Sequence, residues 1–248
     1  MQKLSYTTEE LVSRWEDRRA VKNLMGKYGY CFLIKKEYTI FDSFWSKRGD
    51  VCLGMNSGWY LGREAVSGYY AAIDSALKAK RDILKGLFPD KVAGKSDEEL
   101  YGIGDLEYVA LSTPVVELGS DGTAKGMWYC HGSCAETGVS GPVAYWTWRS
   151  YAVDFVKEDG QWRIWHMLIS EDVNCPSGQD WSQPYEGYPE LPEFAALKDF
   201  TAPEPTVKTV LRELYHPDRP FSRLPEPPAP YEDFALTFSY GYTGKEGK

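Results

Sequence analysis

Along residues 145–172, apolar and aromatic side chains alternate with polar ones on two arms joined by Glu158-Asp159-Gly160. That is the period-2 signature of paired strands with one face buried, and Asp-Gly supplies the positive φ of a tight hairpin turn. Arg149, Tyr151, Val153 and Phe155 share one parity on the first arm; Trp162, Ile164 and His166 share one on the second. Pointed inward, these faces set an arginine, a tyrosine and a histidine among large apolar groups, a mixture suited to a small-molecule pocket. The inference depends on register, since a slip of one residue turns every side chain to the other face.

Upstream, the pattern switches to helical spacing. Thr7 or Thr8 caps a first helix with Glu9 and Glu10 in its first turn, and apolar residues recur at Leu11, Trp15, Val21, Leu24, Met25, Tyr28 and Phe32. A shorter helix is predicted over 38–45, and a hairpin over 50–60 turning at Asn56-Ser57-Gly58. A helix over 64–85 follows Leu61-Gly62-Arg63. Residues 86–105 read as an insertion with a short helix at 96–101. Strands are expected over 108–117, 123–130, 143–156 and 161–169, with the loop-like stretch HGSCAETG (131–138) placing His131 at a pocket rim. Beyond about 174 most of the 15 prolines accumulate, and 226–231 reads as extended, partly polyproline chain. Trp181, Tyr185, Tyr188, Phe194, Phe200, Tyr215, Phe221, Tyr231, Phe234 and Phe238 make this an aromatic arm rather than a disordered tail.

Composition narrows the function classes. The chain has 248 residues with 9 Trp and 18 Tyr, which favours a broad aromatic interior or interface. A net charge of −8 argues against non-specific nucleic-acid binding, which needs clustered cations. No apolar run approaches the ~20 residues that span a bilayer, and the charged N-terminus lacks an apolar signal region, so no membrane association and a cytoplasmic location are expected. Five cysteines without framework spacing read as reduced thiols. His131, Cys134 and Glu136 invite a zinc reading but lack a second ligand cluster, so no metal is expected. Gly102-Ile103-Gly104 lacks the rest of a dinucleotide fingerprint, and no cofactor is expected.

The order helix, helix, hairpin, helix, then long antiparallel strands closing on Asp-Gly-x-Trp-x-Ile resembles the SnoaL-like branch of the nuclear-transport-factor-two-like (cystatin-like) superfamily. The resemblance is carried by 18–28 (RRAVKNLMGKY), 41–51, 61–66 (LGREAV), 112–117 (STPVVE), 123–126 (TAKG) and 159–164 (DGQWRI), and it covers roughly residues 10–175. It implies an α+β cone: a strongly curved antiparallel or mixed sheet wrapped around the N-terminal helices, with an apolar cavity open at one end. On this reading 1–175 form the cone domain, with a helical insertion about 76–105. Residues 176–248 form an extended proline- and aromatic-rich C-terminal arm, packed on the domain or on a neighbouring subunit.

Members of that branch include cofactor-free dehydratases, isomerases, cyclases and epoxide hydrolases acting on hydrophobic, often aromatic molecules, and others that only bind ligands. Longer members with such an arm include a lignin-related diarylpropane lyase that expels formaldehyde and water. The resemblance implies dimers or trimers, and a homo-oligomer is expected, a trimer ahead of a dimer, through an outer sheet face bearing Trp146 and Trp148. Several dehydratases of this type carry an aspartate shortly after the helix tyrosine. Here Tyr28 is followed by Gly29-Tyr30-Cys31-Phe32-Leu33-Ile34, and Tyr108-Val109-Ala110-Leu111 lacks a histidine that related sequences place there.

The groups left for acid–base work are His131, His166, Glu136, Asp154, Glu171 and Asp172. His166 is the leading candidate for proton transfer, with His131 as a second acid or base. Arg149 would steady charge on oxygen, and Tyr151 and Tyr28 would donate hydrogen bonds to a carbonyl or leaving hydroxyl. Trp162, Trp128, Phe32, Trp45 and Tyr30 are the expected substrate-binding residues. Asp154, on the opposite parity from Tyr151, is expected in an interface, and His216 is expected to be structural. The activity expected is cofactor-independent elimination of water or a small aldehyde from a hydroxylated aromatic small molecule. A non-catalytic binding protein of the same fold, or an isomerase or cyclase, are the alternatives.

Overall fold

The computed structural model describes residues 6–138, 140–183, 203–222 and 225–244. Helix α1 (Thr8–Leu33) starts at Thr7, whose Oγ1 accepts from the Glu10 N–H while the Glu10 carboxylate accepts from the Thr7 N–H, a reciprocal capping box. Its buried residues begin only at Val21; Leu11 and Trp15, expected in the apolar stripe, are exposed. The first half of the helix is held to the sheet by polar contacts instead. Arg14 donates to the Leu118 and Gly119 carbonyls, Arg18 pairs with Glu117, and Asp17 accepts from Lys157 and the Trp162 indole.

A 3-10 turn (Glu37–Thr39) leads to α2 (Ile40–Phe44), hairpin β1 (Cys52–Met55) and β2 (Gly58–Leu61), and α3 (Gly62–Leu87). A short α4 (Pro89–Val92) follows, but 96–101 forms turns rather than the expected helix. Ser96 and Glu99 do make a capping box there. Gly102 and Gly104, at φ +70° and +78°, end the run before it can propagate.

Four long strands follow: β3 (Leu106–Leu118), β4 (Thr123–Gly138), β5 (Gly141–Glu158) and β6 (Gln161–Pro176). The stretch 131–138, expected as a loop, continues β4 and pairs residue by residue with 148–141. Gly132 permits this close approach, because a Cβ there would lie 2.7 Å from Thr147 Cγ2. With β7 (Val207–Lys208) the sheet order is β3-β4-β5-β6-β1-β2-β7, and among these described strands the β1–β6 pairing alone is parallel. The helices pack against the concave face, where Val21, Met25, Tyr28, Tyr70, Tyr151, Phe155 and Ile164 form the centre of the core. The chain is thus an α+β fold with a curved mixed sheet. No helix among the described residues is long and apolar enough to cross a membrane.

Two irregularities in the β5–β6 pairing decide which side chains face inward. Trp148 pairs with Val173 but Arg149 with Glu171, so Asp172 is an extra residue; Asp154 pairs with His166 but Phe155 with Ile164, so Trp165 is another. Strand β5 therefore keeps the expected alternation, with Arg149, Tyr151, Val153 and Phe155 all concave. The expected common face of Trp162, Ile164 and His166 does not hold. Ile164 is concave, and after the bulge at Trp165, His166 shares the convex face with Asp154.

The convex face carries the described part of the C-terminal arm. Leu211 donates to the Asn56 carbonyl, Tyr215 to the Asp172 carbonyl, and Phe234 to the Asp121 carboxylate. Tyr185, Tyr188, Phe194 and Phe200, counted among the arm's aromatics, lie outside the described residues.

Candidate active site

On the concave face, Arg149 lies between two carboxylates. Its Nη1 is 3.1 Å from Glu107 Oε1 on β3 and its Nε is 3.2 Å from Glu171 Oε1 on β6. Thr147 Oγ1, two residues back on the same face, donates to the same Glu171 oxygen at 3.0 Å. The Arg149, Glu107 and Glu171 side chains retain 17%, 25% and 19% of their exposure, so a molecule entering from solvent can reach them. Register explains the grouping: Glu107, Cys134 and Tyr145 align across one row, and Cys130, Arg149 and Glu171 across another.

Deeper in, the cluster meets phenols. Burial pushes the Tyr151 and Tyr69 hydroxyls far above their ordinary range, with Arg149 pulling both partly back; Arg149 also hydrogen-bonds Tyr151. The Tyr28 and Tyr70 hydroxyls lie 3.3 Å apart. Burial raises Tyr28 strongly, and Tyr70 is pushed up to about 12. Such phenols stay protonated at neutral pH, which makes them hydrogen-bond donors and excludes them as bases. Trp45 packs 6.3 Å from Tyr70, and Phe32 packs edge-on to Tyr28 at 5.4 Å. Burial also raises the Cys130 and Cys134 thiols, to about 11 and about 12, so neither is a nucleophile at neutral pH.

The convex face holds a separate polar cluster. Asp154, fully buried, accepts from Lys125 Nζ at 2.5 Å, from Ser239 Oγ at 2.6 Å and from the Tyr240 N–H at 2.9 Å. His166 Nδ1 lies 3.0 Å from the same carboxylate. Burial alone would raise Asp154, but its bond to His166 and the Lys125 ammonium outweigh this and hold it below the usual carboxylate range. Ser239, His166 and Asp154 are the residue types of a nucleophilic triad without its geometry. Ser239 Oγ meets Nδ1 at 3.2 Å, the nitrogen that also faces Asp154, so the ring cannot relay a proton from one to the other. The cluster latches the arm to the sheet: Gly241 packs so tightly that a Cβ would lie 2.6 Å from the His166 ring.

The structure therefore brings together Arg149, Tyr151, Tyr28, Trp45 and Phe32 on the concave side, and places Trp128 there against Phe155. It sets His166 on the opposite face, 5% exposed beneath the arm. His131 is exposed on that outer face between Trp146 and Trp148, with ring centroids at 5.9 and 5.6 Å. Strand alternation turns Cys134 and Glu136 to the other side, so these three do not converge as metal ligands. Tyr30 is exposed on α1, and Trp162 is engaged with Asp17 and Lys157. His216 is part of the arm, near Asp218.

Sequence reasoning passed over Glu107, whose position on an alternating strand is uninformative until β3 is registered against β4. It also passed over Glu37, buried in the turn after α1, where burial raises the carboxyl to about 7. At the rim, Lys80 from α3 pairs with Asp105 and with Glu136 at 2.8 Å.

Among solved structures, a putative scytalone dehydratase from Novosphingobium aromaticivorans is 15% identical with a TM-score of 0.46, covering 72% of this chain and 99% of that one. The Kfla4162 protein from Kribbella flavida is 14% identical with a TM-score of 0.47, covering 65% and 94%. A LinA-type3 hexachlorocyclohexane dehydrochlorinase from Novosphingobium barchaimii is 16% identical with a TM-score of 0.42, covering 70% and 99%. Among functionally curated proteins no relative matches. The model of the SnoaL-like domain matches residues 13–168, more than half of the sequence, and the chain belongs to that family.

Proposed function

We propose that the protein is a cofactor-independent lyase that eliminates water or a small aldehyde from a hydroxylated aromatic molecule held against the concave face. The observation that carries this reading is Arg149, fixed between Glu107 and Glu171 beside tyrosines that stay protonated. A guanidinium in that position stabilises negative charge developing on a substrate oxygen, and Tyr151 and Tyr69 add neutral donors.

The proton work falls to the carboxylates that touch Arg149 rather than to a histidine. For water loss, Glu171 or Glu107 takes a proton from carbon, the C–O bond breaks, and the resulting carboxylic acid protonates the departing hydroxyl. The carboxylate is thereby regenerated. For aldehyde loss, the same group takes the hydroxymethyl O–H proton as the C–C bond breaks and the electron pair passes into the conjugated system. The acid then returns its proton there.

A homo-oligomer, a trimer ahead of a dimer, belongs to the same reading. Its interface would use outer-face area the arm leaves exposed around Tyr108 and Trp146, and sedimentation velocity tests it.

The activity test is mass-spectrometric screening of metal-free protein against hydroxylated mono- and diaryl compounds without added cofactor. The expected result is loss of water or formaldehyde, reduced on the order of 100-fold or more in Arg149→Gln, the scale of losing one oxyanion-stabilising group. Compounds that raise the melting temperature without any mass loss would replace the lyase by a ligand-binding protein.

A further inference from the structure

A second aromatic enclosure lies on the convex face, where the arm crosses the upper part of β4, β5 and β6. Six rings line it: Tyr129 and His131 from β4, Trp148 from β5, and Trp181, Tyr215 and Phe221 from the chain after β6. The space has a volume of about 350 Å³, within the lower range of small-molecule sites, roughly 300–1,000 Å³.

Its walls are built rather than incidental. Trp148 and Trp181 meet with ring centroids 4.8 Å apart at 55°, Trp181 and Tyr215 at 6.5 Å, and His131 and Trp148 at 5.6 Å and 35°. The arm side is pinned at the β6 bulge: the Asp172 carbonyl accepts from the Tyr215 N–H at 2.7 Å, and its carboxylate accepts from Arg212 Nε at 2.7 Å. Arg212 in turn donates to the Ser222 carbonyl at 3.2 Å and lies 4.4 Å over the Phe221 ring. One extra residue in a strand thus fixes both the backbone and a side chain of the segment that forms one wall of the pocket.

We infer that this enclosure is a second binding site, taking a planar aromatic molecule that carries a hydroxyl. Rings inclined to one another at the spacings above offer edge and face contacts to an inserted ring. His131 supplies a polar handle at the mouth, where its imidazole is exposed. Arg149 and Cys130 border the pocket through the same stretch of sheet whose concave face carries the proposed active site. The two sites are therefore on opposite sides of β4 and β5. This inference does not depend on the lyase reading.

Photolabelling with 4-azidophenol, followed by peptide mapping, tests it on the full chain. Label is expected on peptides containing Trp148, Trp181, Tyr215 or Phe221, suppressed by excess 4-fluorophenol. It is expected to persist in Glu107→Gln, which alters the concave cluster at a residue that does not border the pocket. In Trp181→Ala or Phe221→Ala the half-saturating probe concentration should rise about tenfold, the scale of one lost aromatic contact. Both residues are half-exposed, so the fold should survive either change, as the unaltered melting temperature would verify. Label confined to concave residues such as Tyr69 or Tyr151, label that 4-fluorophenol does not suppress, or unchanged labelling in both variants would each overturn the proposal.

Discussion

At Glu37 a carboxyl is held at 1% exposure in the turn after α1, and its Oε2 meets no hydrogen-bond partner among the described residues. Burial raises it to about 7; its own backbone bond and Lys35, 3.8 Å away, pull it back only in part. A carboxyl raised in the folded state contributes most stability below its unfolded pKa, and that contribution is lost as pH rises through the folded value. The protein should therefore lose stability between pH 5 and 8, on the order of 2–3 kcal/mol from this group. Glu37→Gln should flatten the slope, and denaturant unfolding of both proteins at pH 5, 6.5 and 8 checks it. Equal slopes would mean that Glu37 is ionised throughout. Nothing in the sequence marks this residue: Lys-Lys-Glu-Tyr reads as a solvated turn, and its burial comes from packing beneath α3. By contrast Arg149, Tyr151 and Tyr28 were legible, because strand and helix periods alone put them on an inward face.

The element that most changes the functional reading is the bulge at Trp165. Alternation along β6 put His166 with Trp162 and Ile164; one inserted residue moves it to Asp154 and under the arm. A bulge leaves no reliable trace in a hydrophobic pattern when the inserted residue is itself aromatic. Trp165 is accommodated by the Arg48 guanidinium 4.4 Å over its ring and by Phe234 at 4.7 Å. His166→Ala should accordingly cost stability while leaving the pH profile of any turnover in place. A shift or loss of that profile, in a variant that still folds, would return the histidine to the chemistry. Gly241→Ala tests the latch from the other side. Its new methyl would press on the imidazole and should expose 239–242 to limited proteolysis while β5 and β6 stay resistant. The extension of β4 through 131–138 was missed for a related reason: two glycines with Ser133 and Thr137 read as loop until β5 supplies a partner for each residue.

For the whole molecule, one sheet serves two purposes. Its concave face packs the helices and carries the Arg149 cluster; its convex face holds the arm through a buried ion pair. The order of helices and strands was legible from periodicity, and so was an arm of unusual aromatic content. The course of that arm was not, because its anchors look like ordinary outward-facing acids: Asp154 and Asp172 sit on strands, and Asp121 sits in the turn between β3 and β4. Asp154 is the anchor with most at stake. Removing its charge leaves Lys125, 4% exposed, without the carboxylate it was buried against, a change that costs roughly 3–5 kcal/mol in buried pairs. Asp154→Asn should therefore release 231–242 at neutral pH, read as faster amide hydrogen exchange across that segment with the Tyr240 amide leading. The wild-type chain should do the same only in acid. A carboxylate held below its ordinary value contributes fully above about 3.9, and its contribution is lost as pH falls through the lower folded value. Exchange in 231–242 that is as fast in wild type as in Asp154→Asn at pH 7 would show that the arm is held by its aromatic contacts and not by the buried pair.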